Sequence, residues 1–547
     1  MKIMKSVLLF ISSFLALISN AQIATYVQTF GSSNIEQISG VQVNAQQEIF
    51  LAGTFGADLM IDNNNLLING LEDIFLCKKD GNNQTVWTKT FGSNDRDRIT
   101  GLRLYNDTML YFSGIFWDNL TLDSFSLSAN SSSVFIAAAD TSGHIRWATS
   151  IDGSGLLKVN EGVVDNEGNY ILTGSFSNDL FFPNNTLTAA GTEDGFLAKY
   201  DKHGNFLWAQ QFGYQQQTIA TSVITDSTNH IYITGQFNGR VIFGSDTLWA
   251  SANDYDLFLA QYNEQGDLQY GQRFGGIYDN TNPKLGINSF GELVMSGTFI
   301  GLLNLDDQTT LQTNSNVDSD IFVVTFTQMG HVSTVKQFGD ITNETLVNLH
   351  VHANHYYLSG FFNTSTTIGD ISLTTAFGNL QNFMIRTAAS ASNASPNVIS
   401  YATMQPSAVA FAVPFGNAND EVVIAGTFQG AINLPVATSS PVSNGFTDIF
   451  FVKMTLPPVS TFKVRPNMSW TVFPNPASDF IDIDCTVELM SSPITISIIS
   501  TSGVVVQELT VANDNRVRVP IYHLPKGIYF LEIKTADSRQ MKQFIKM

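Results

Sequence analysis

Three of the eight histidines fall within six residues: His350, His352 and His355 of "HVHANH". His-x-His sets two imidazoles on one face of a strand, and a third imidazole nearby would complete a zinc triad. Aligning the chain on its own internal repeats places His352 and His355 at the two ends of a hairpin turn, where another unit carries Asp165 and Asn169. No carboxylate recurs beside them. The cluster reads as turn residues, and no metal site is assigned.

A second series is acidic. Asp73, Asp194, Asp256, Asp320 and Asp448 each stand two residues before a phenylalanine, in five of seven repeats. An active site needs unlike residues converging once. Like residues at equivalent places indicate a structural role in a turn or at a strand edge. No D-x-[DN]-x-[DN]-G calcium loop occurs, which leaves acidic loops such as "NDRDR" (Asn94 to Arg98) as places for weak calcium binding. There is no G-x-S-x-G elbow, Walker loop or Cys/His nucleophile pattern. Paired carboxylates for glycoside hydrolysis need only meet in space, so the sequence leaves them open. No catalytic residue and no cofactor are assigned.

The elements that would carry these residues form a repeat. "FLAGTF", "YFSGIF", "ILTGSF", "YITGQF", "VMSGTF", "YLSGFF" and "VIAGTF" place glycines at 53, 114, 174, 235, 297, 360 and 426, each with Phe two positions later. The intervals of 61, 60, 61, 62, 63 and 66 residues define one structural unit used seven times. About twenty residues on comes a second strand pattern, "DIFLCKKD" to "DIFFVKMT", centred on Phe75, Phe135, Phe196, Phe258, Phe322, Phe383 and Phe450, with alternate positions apolar. An outer strand follows in the first five units at Trp87, Trp147, Trp208, Tyr270 and Thr334. The repeated aromatics are assigned to packing between neighbouring units. Turns such as "DNEGN" (Asp165 to Asn169) use Gly for its free access to positive φ. Each unit therefore reads as four antiparallel strands, starting with an inner one such as "GVQVNA" (Gly40 to Ala45), and seven such units predict an all-β, seven-bladed β-propeller.

From Asp165 to Gly213 the pattern "D..GN.YLTG.F" followed by "D.F.AKYD..GN..W...FG" resembles the bacterial β-propeller repeats of secreted proteins known as SBBP-type repeats. The resemblance covers residues 23 to about 455. It implies the fold and no single activity.

The segment "IATYVQTFG" (Ile23 to Gly31) copies the end of a unit, as do "TVWTKTFG" and "FLWAQQFG" downstream. After "DIFFVKMT" the seventh unit runs into "LPPVSTFKVRPN", whose prolines cannot donate to a ladder. The seventh blade thus lacks an outer strand, and residues 23–31 are assigned to it, closing the ring and removing two sheet edges. A competing candidate for that strand is "STFKV" around Phe462.

Beyond a linker at 456–467, residues 468–547 show new alternating strands: "ITISIIS", "VVVQELTV", "RVRVPI" and "GIYFLEIK". They predict a small Ig-like β-sandwich. "VFPNPASDFIDID", "ISTSGVVV", "LPKGIYFLEI" and "KQFIKM" together resemble the type A C-terminal sorting domain of the Por, or type IX, secretion system of Bacteroidetes. Pro474, Asn475 and Pro476 with Gly527 and Tyr529 match that family's most recognisable positions; Thr501 replaces its frequent Asp. The resemblance implies the type IX machinery and its C-terminal signal peptidase as partners, with surface anchoring or release as the result.

Bulk properties agree with export. At 547 residues the chain exceeds one hydrophobic core. Its 44% hydrophobic and 14% charged residues exclude a largely disordered chain. A formal charge of -20 repels phosphate backbones and anionic lipid, which excludes nucleic acid as a partner. Cys77 and Cys485 fall in different folding units and read as two small thiols. Residues 1–21 read as a secretory leader: Lys2 and Lys5, an apolar stretch from Val7 to Ser19, and cleavage between Ala21 and Gln22. No later segment has eighteen uninterrupted apolar residues, so no transmembrane segment is expected in the mature chain. These features imply a non-catalytic binding or scaffold protein, secreted or on the outer-membrane surface, that meets glycans or proteins through the loops at one end of the ring. The alternative is a secreted hydrolase or lyase acting on polysaccharide at the channel mouth; a third reading is a structural surface-layer component.

Overall fold

In a computed structural model of the chain, all regular elements among the described residues are β-strands. The structure describes residues 23–251, 254–327, 330–339, 342–363, 365–368, 371–374, 380–389, 397–402, 409–414, 421–432, 441–455, 470–485, 494–500, 505–511, 516–534 and 539–547. The leader with its cleavage position at Ala21 and Gln22, and the linker with Phe462, lie outside them. The chain divides into two compact units, Met1–Thr461 and Phe462–Met547.

The first unit is a closed β-propeller. Its first sheet sets Glu36–Val43, Ile49–Phe55, Asp73–Lys79 and Thr85–Phe91 side by side in chain order. Six further sheets repeat the arrangement, with innermost strands Asp97–Tyr105, Leu157–Val164, Thr218–Thr225, Asn280–Ile287, Glu344–His352 and Val409–Pro414. Each innermost strand touches that of the next sheet, and Val409–Pro414 touches Glu36–Val43. The outer strand of the last sheet is Ile23–Phe30, antiparallel to Asp448–Thr455 with Ile23 opposite Thr455 and Phe30 opposite Ile449.

The strand period of two explains the packing. Along Ile49–Phe55, Ile49 and Leu51 join a core shared with the last sheet, while Phe50 and Ala52 join a core shared with the second. Each blade buries both faces against two neighbours, so none is stable alone. The recurring Gly has a steric cause: Gly53 lies opposite Phe75, and a Cβ there would stand 2.5 Å from the Phe75 ring. Gly114, Gly174, Gly235, Gly297 and Gly360 meet Phe135, Phe196, Phe258, Phe322 and Phe383 in the same way.

The recurring Asp is explained together with the Phe-Gly that ends each outer strand. Asp73 is buried, accepts the Asn69 N–H at 2.7 Å and fills the space a Cβ on Gly92 would need. Asp194 does the same at Gly213, Asp256 at Gly275, Asp320 at Gly339 and Asp448 at Gly31. A second buried polar residue opens the inner strand of the following blade: Glu36, Asp97, Thr218, Asn280 and Glu344. In "NDRDR", therefore, Asp97 is buried, where it accepts the Ser93 N–H, and Arg98 pairs with Glu72.

Burial pushes Asp97 up to about 6, with the nearby Asp73 adding to the rise. Against an ordinary value of about 3.9, the folded chain holds a proton between roughly pH 4 and 6 that the unfolded chain lacks. Stability from this group is thus present at low pH and lost as pH rises through about 6. Asp97→Asn, which copies Asn280, should raise stability by about 1–3 kcal/mol at pH 8, and the gain should fade towards pH 4 in thermal melts.

Outer strands are latched to the next blade. The indole N–H of Trp87, Trp147 and Trp208 donates to the carbonyls of Thr141, Lys202 and Glu264 at 3.2, 2.9 and 3.1 Å. Each ring lies on the turn glycine of that blade, Gly143, Gly204 or Gly266, whose φ is +85°, +83° or +87°.

Two features differ from the sequence reading. The first inner strand begins at Glu36, not at Gly40. The roughly twenty residues after the repeated Phe also hold a further small hairpin in most blades, such as Asp179–Phe182 with Asn185–Thr188 or Arg240–Phe243 with Asp246–Trp249. Asn184 and Gly244, at φ +62° and +54°, make these tight turns.

The second unit is a two-sheet β-sandwich. One sheet holds Trp470–Phe473, Phe480–Cys485 and Arg516–Pro520; the other holds Val505–Val511, Ile494–Ser500, Gly527–Lys534 and Arg539–Lys546. Ile481, Ile483, Ile496, Ile498, Val519, Leu531 and Phe544 fill its core. Cys77, in the propeller, is a buried free thiol pushed up to about 12 by burial.

Candidate functional site

Innermost strands from six sheets surround an axial cavity of about 460 Å³. A β-bulge in several of these strands places an extra residue at the channel: Ser39, Thr100 and Asn160. Beyond the bulges stand Gln42, Arg103, Glu161, Lys284, Asn348 and His350.

Most of these groups are held by neighbours. Gln42 donates to the Leu102 carbonyl at 3.2 Å, Asn160 to the Ala220 carbonyl at 2.7 Å and Lys284 to the Thr221 carbonyl at 2.9 Å. Arg103 pairs with Glu161 Oε1 across the second and third blades. Two buried atoms are left over: Glu161 Oε2 and His350 Nε2 have no hydrogen-bond partner among the described residues. A buried polar atom without a partner costs about 1–3 kcal/mol, and both residues that keep one belong to the cavity lining. Burial holds His350 down at about 4, with His352 and Arg103 adding to the shift. The imidazole is neutral above about pH 5 and offers one donor and one acceptor.

The histidine cluster is only partly assembled. His350 and His352 share a strand face with rings 6.4 Å apart and nearly parallel, whereas His355 faces His352 across the turn and packs on Tyr357. Among the described residues no group of three or more His, Cys, Asp or Glu is arranged to hold a metal ion.

Apart from His350, which is read as a turn residue, the channel residues are absent from the sequence reading. Their signal was present: Ser39, Thr100, Asn160 and Thr221 each stand fourteen positions before the repeated Gly, at 53, 114, 174 and 235. A polar residue recurs there in strands whose other positions vary.

In the second unit the residues singled out from the sequence converge on the last strand. Asn475 Oδ1 accepts the Ile545 N–H at 2.9 Å, and Ala477 N–H donates to the Ile545 carbonyl at 2.8 Å. Pro474 and Pro476 both follow cis peptide bonds on either side of that asparagine. Gly527 pairs with Lys546, and Tyr529 pairs with Phe544, its ring stacked at 5.7 Å. Tyr529 Oη also donates to the Pro525 carbonyl at 3.0 Å.

Fold and site define a β-propeller with a polar axial cavity, joined to a β-sandwich with an anchored proline turn. Residues 471–547 are a secretion system C-terminal sorting domain of the Por type, which marks the chain for the type IX machinery and for the cell surface or the extracellular space. A curated relative, the uncharacterized WD repeat-containing protein L264 of Acanthamoeba polyphaga mimivirus, is 28% identical over 174 residues, which is 28% of this chain and 12% of the relative's length. Solved structures with a similar fold include the extracellular region of plexin A4 (8% identity, TM-score 0.37, 94% of this chain and 67% of that one) and the endosialidase of phage phi92 (10%, 0.36, 91% and 76%). A glycoside hydrolase family 32 protein of Bifidobacterium adolescentis is also similar (10%, 0.26, 95% and 95%). At these scores the likeness assigns no activity.

Proposed function

We propose that this exported chain is a binding protein whose propeller takes a polar ligand, the end of a glycan or peptide chain, into the axial cavity. One observation carries the reading: Glu161 and His350 line a polar cavity of about 460 Å³, and each keeps a buried side-chain atom with no partner among the described residues, which a rearrangement on binding could satisfy. Arg103 is already engaged by Glu161, and Glu161 is the one carboxylate among the described lining residues, which supports binding over two-carboxylate hydrolysis. In the sandwich, the turn at Pro474, Asn475 and Pro476 and the strand at Gly527 and Tyr529 would present the surface that the secretion machinery and its peptidase read.

Glycan and peptide arrays probed with the full-length protein, beside a polysaccharide turnover assay, test the proposal. His350→Leu should weaken capture by about tenfold or more while leaving the melting temperature level or higher, because it removes an unsatisfied buried group. Binding should also be flat between about pH 5.5 and 8, since His350 stays neutral there. Polysaccharide turnover without capture would sink the reading.

A further inference from the structure

The fourth and fifth blades are tied through their inner strands, as by Lys284 to the Thr221 carbonyl, but among the described residues not through their turns. On the face carrying the turns between first and second strands, Ala45 N–H donates to Asp107 at 3.1 Å, Asn166 N–H to Asn229 Oδ1 at 3.1 Å, and Ser289 N–H to the Ala353 carbonyl at 3.3 Å. Among the described residues none joins the turn at Asp226–His230 of the fourth blade to the turn at Asn288–Glu292 of the fifth. The indole latch, carried by the first three blades, is missing here and again in the fifth blade, which has Thr334. The fourth blade has Tyr270 where the preceding three have Trp87, Trp147 and Trp208, and the turn glycine of the fifth blade, Gly330 at φ +80°, has nothing within 4 Å of a Cβ position. A cleft of about 530 Å³ lies there, lined by both turns, Tyr270 and Gly330. It shares Ile287 with the lining of the axial cavity; its other lining residues are its own.

The lining defines what fits. Tyr232 and Tyr270 supply aromatic surface, backed by the buried Phe326. Asp226 is already engaged: one oxygen accepts the Thr228 and His230 N–H groups, the other meets His230 Nδ1 at 3.1 Å and the Tyr232 hydroxyl at 3.2 Å. Gln261 gives its amide N–H to the Tyr232 hydroxyl at 3.1 Å, which leaves its carbonyl oxygen open. With Nδ1 of His230 on Asp226, Nε2 is the open ring nitrogen, and the Tyr270 hydroxyl has no partner among the described residues. The open atoms are thus mainly acceptors beside aromatic faces. No Lys or Arg is among the described lining residues, and Asp226 repels anions. A ligand that brings several hydroxyl donors on a ring with an apolar face, and no negative charge, meets all of these conditions.

We propose that the cleft between the fourth and fifth blades is a binding site for a neutral saccharide, one or two rings long, with Tyr270 as its floor and Gln261 and His230 receiving its hydroxyls.

The test uses the full-length protein and saturation-transfer NMR with glucose, galactose, mannose, N-acetylglucosamine and their β-linked disaccharides. At least one should give transfer that Tyr270→Trp abolishes while raising the melting temperature, since the indole restores the latch. His230→Ala should weaken the same sugar by about tenfold. Transfer that His350→Leu removes but Tyr270→Trp and His230→Ala leave belongs to the axial channel, which separates failure of this site from failure of the channel reading. No transfer with any of these sugars at millimolar concentration, or transfer that survives both Tyr270→Trp and His230→Ala, would overturn the proposal.

Discussion

A chain lacking residues up to Gly31 should melt on the order of 10 °C below the full chain and should self-associate, and a peptide of residues 22–31 added in trans should reverse both effects. The strand Ile23–Phe30 covers Asp448–Thr455, of which all residues but the last are buried. Phe30 is itself buried, Val27 packs on the core of Val422, Ile424, Phe450 and Val452, and Tyr26 meets Phe451 edge-on at 5.9 Å. Burial of a large apolar side chain stabilises by about 1.5–3 kcal/mol, so losing these contacts costs roughly 5 kcal/mol even with incomplete burial. At about 2–4 °C per kcal/mol for large domains, that corresponds to the stated shift. The freed edge would be a template for pairing with other chains, and for the added peptide. The junction is also topologically special: Glu36 N–H donates to the Thr447 carbonyl at 3.0 Å, and Thr447 Oγ1 donates to the Glu36 carbonyl at 2.9 Å across 411 residues. Contacts at such separation form late in folding, so refolding of the truncated chain should change less in rate than in final stability. An unchanged melting temperature, or a peptide no better than its scrambled version, would show that residues 23–31 are dispensable.

The repeat was legible because its steric causes are local and identical. Gly53 must be small for Phe75, and Gly92 must be small for Asp73, so both glycines recur wherever their partners do. That coupling also places "IATYVQTFG" in a blade, because Gly31 stands to Asp448 as Gly92 stands to Asp73. The small hairpins after the repeated Phe of most blades were not read: their strands of three or four residues, as at Leu59–Ile61 and Asn64–Leu66, are too short for alternation to stand out. The channel escaped for the opposite reason. Arg103, Glu161 and Lys284 come from three blades and share no motif, and only ring closure brings them together. The cleft at Tyr270 is visible in sequence only as the loss of one tryptophan, whose meaning depends on knowing that the indole would have covered the next blade's turn. Repetition exposed the scaffold; the candidate sites lie where repetition fails.

Removal of residues 471–547 should reduce the surface and extracellular fraction of the protein by about tenfold or more while leaving the propeller folded. The second expectation follows from packing. The sandwich core is drawn from its own residues, Ala477 to Phe544, and the propeller cores from theirs, so neither loses buried apolar area when the other is absent. The first follows from the sorting domain at 471–547. A finer variant separates recognition from stability. Asn475→Ala deletes the acceptor of the Ile545 N–H on an exposed turn, at a cost of about 1 kcal/mol, and leaves the core untouched. Phe544→Ala removes a fully buried ring stacked on Tyr529 and should cost about 3–5 kcal/mol, which is enough to unfold a small sandwich. If the machinery reads the anchored turn, both variants should be retained inside the outer membrane, but only Phe544→Ala should lose the cooperative melt of the sandwich. If Asn475→Ala reaches the surface at the normal level in fractionation and protease-accessibility assays, the turn is structural, and recognition lies elsewhere on the domain.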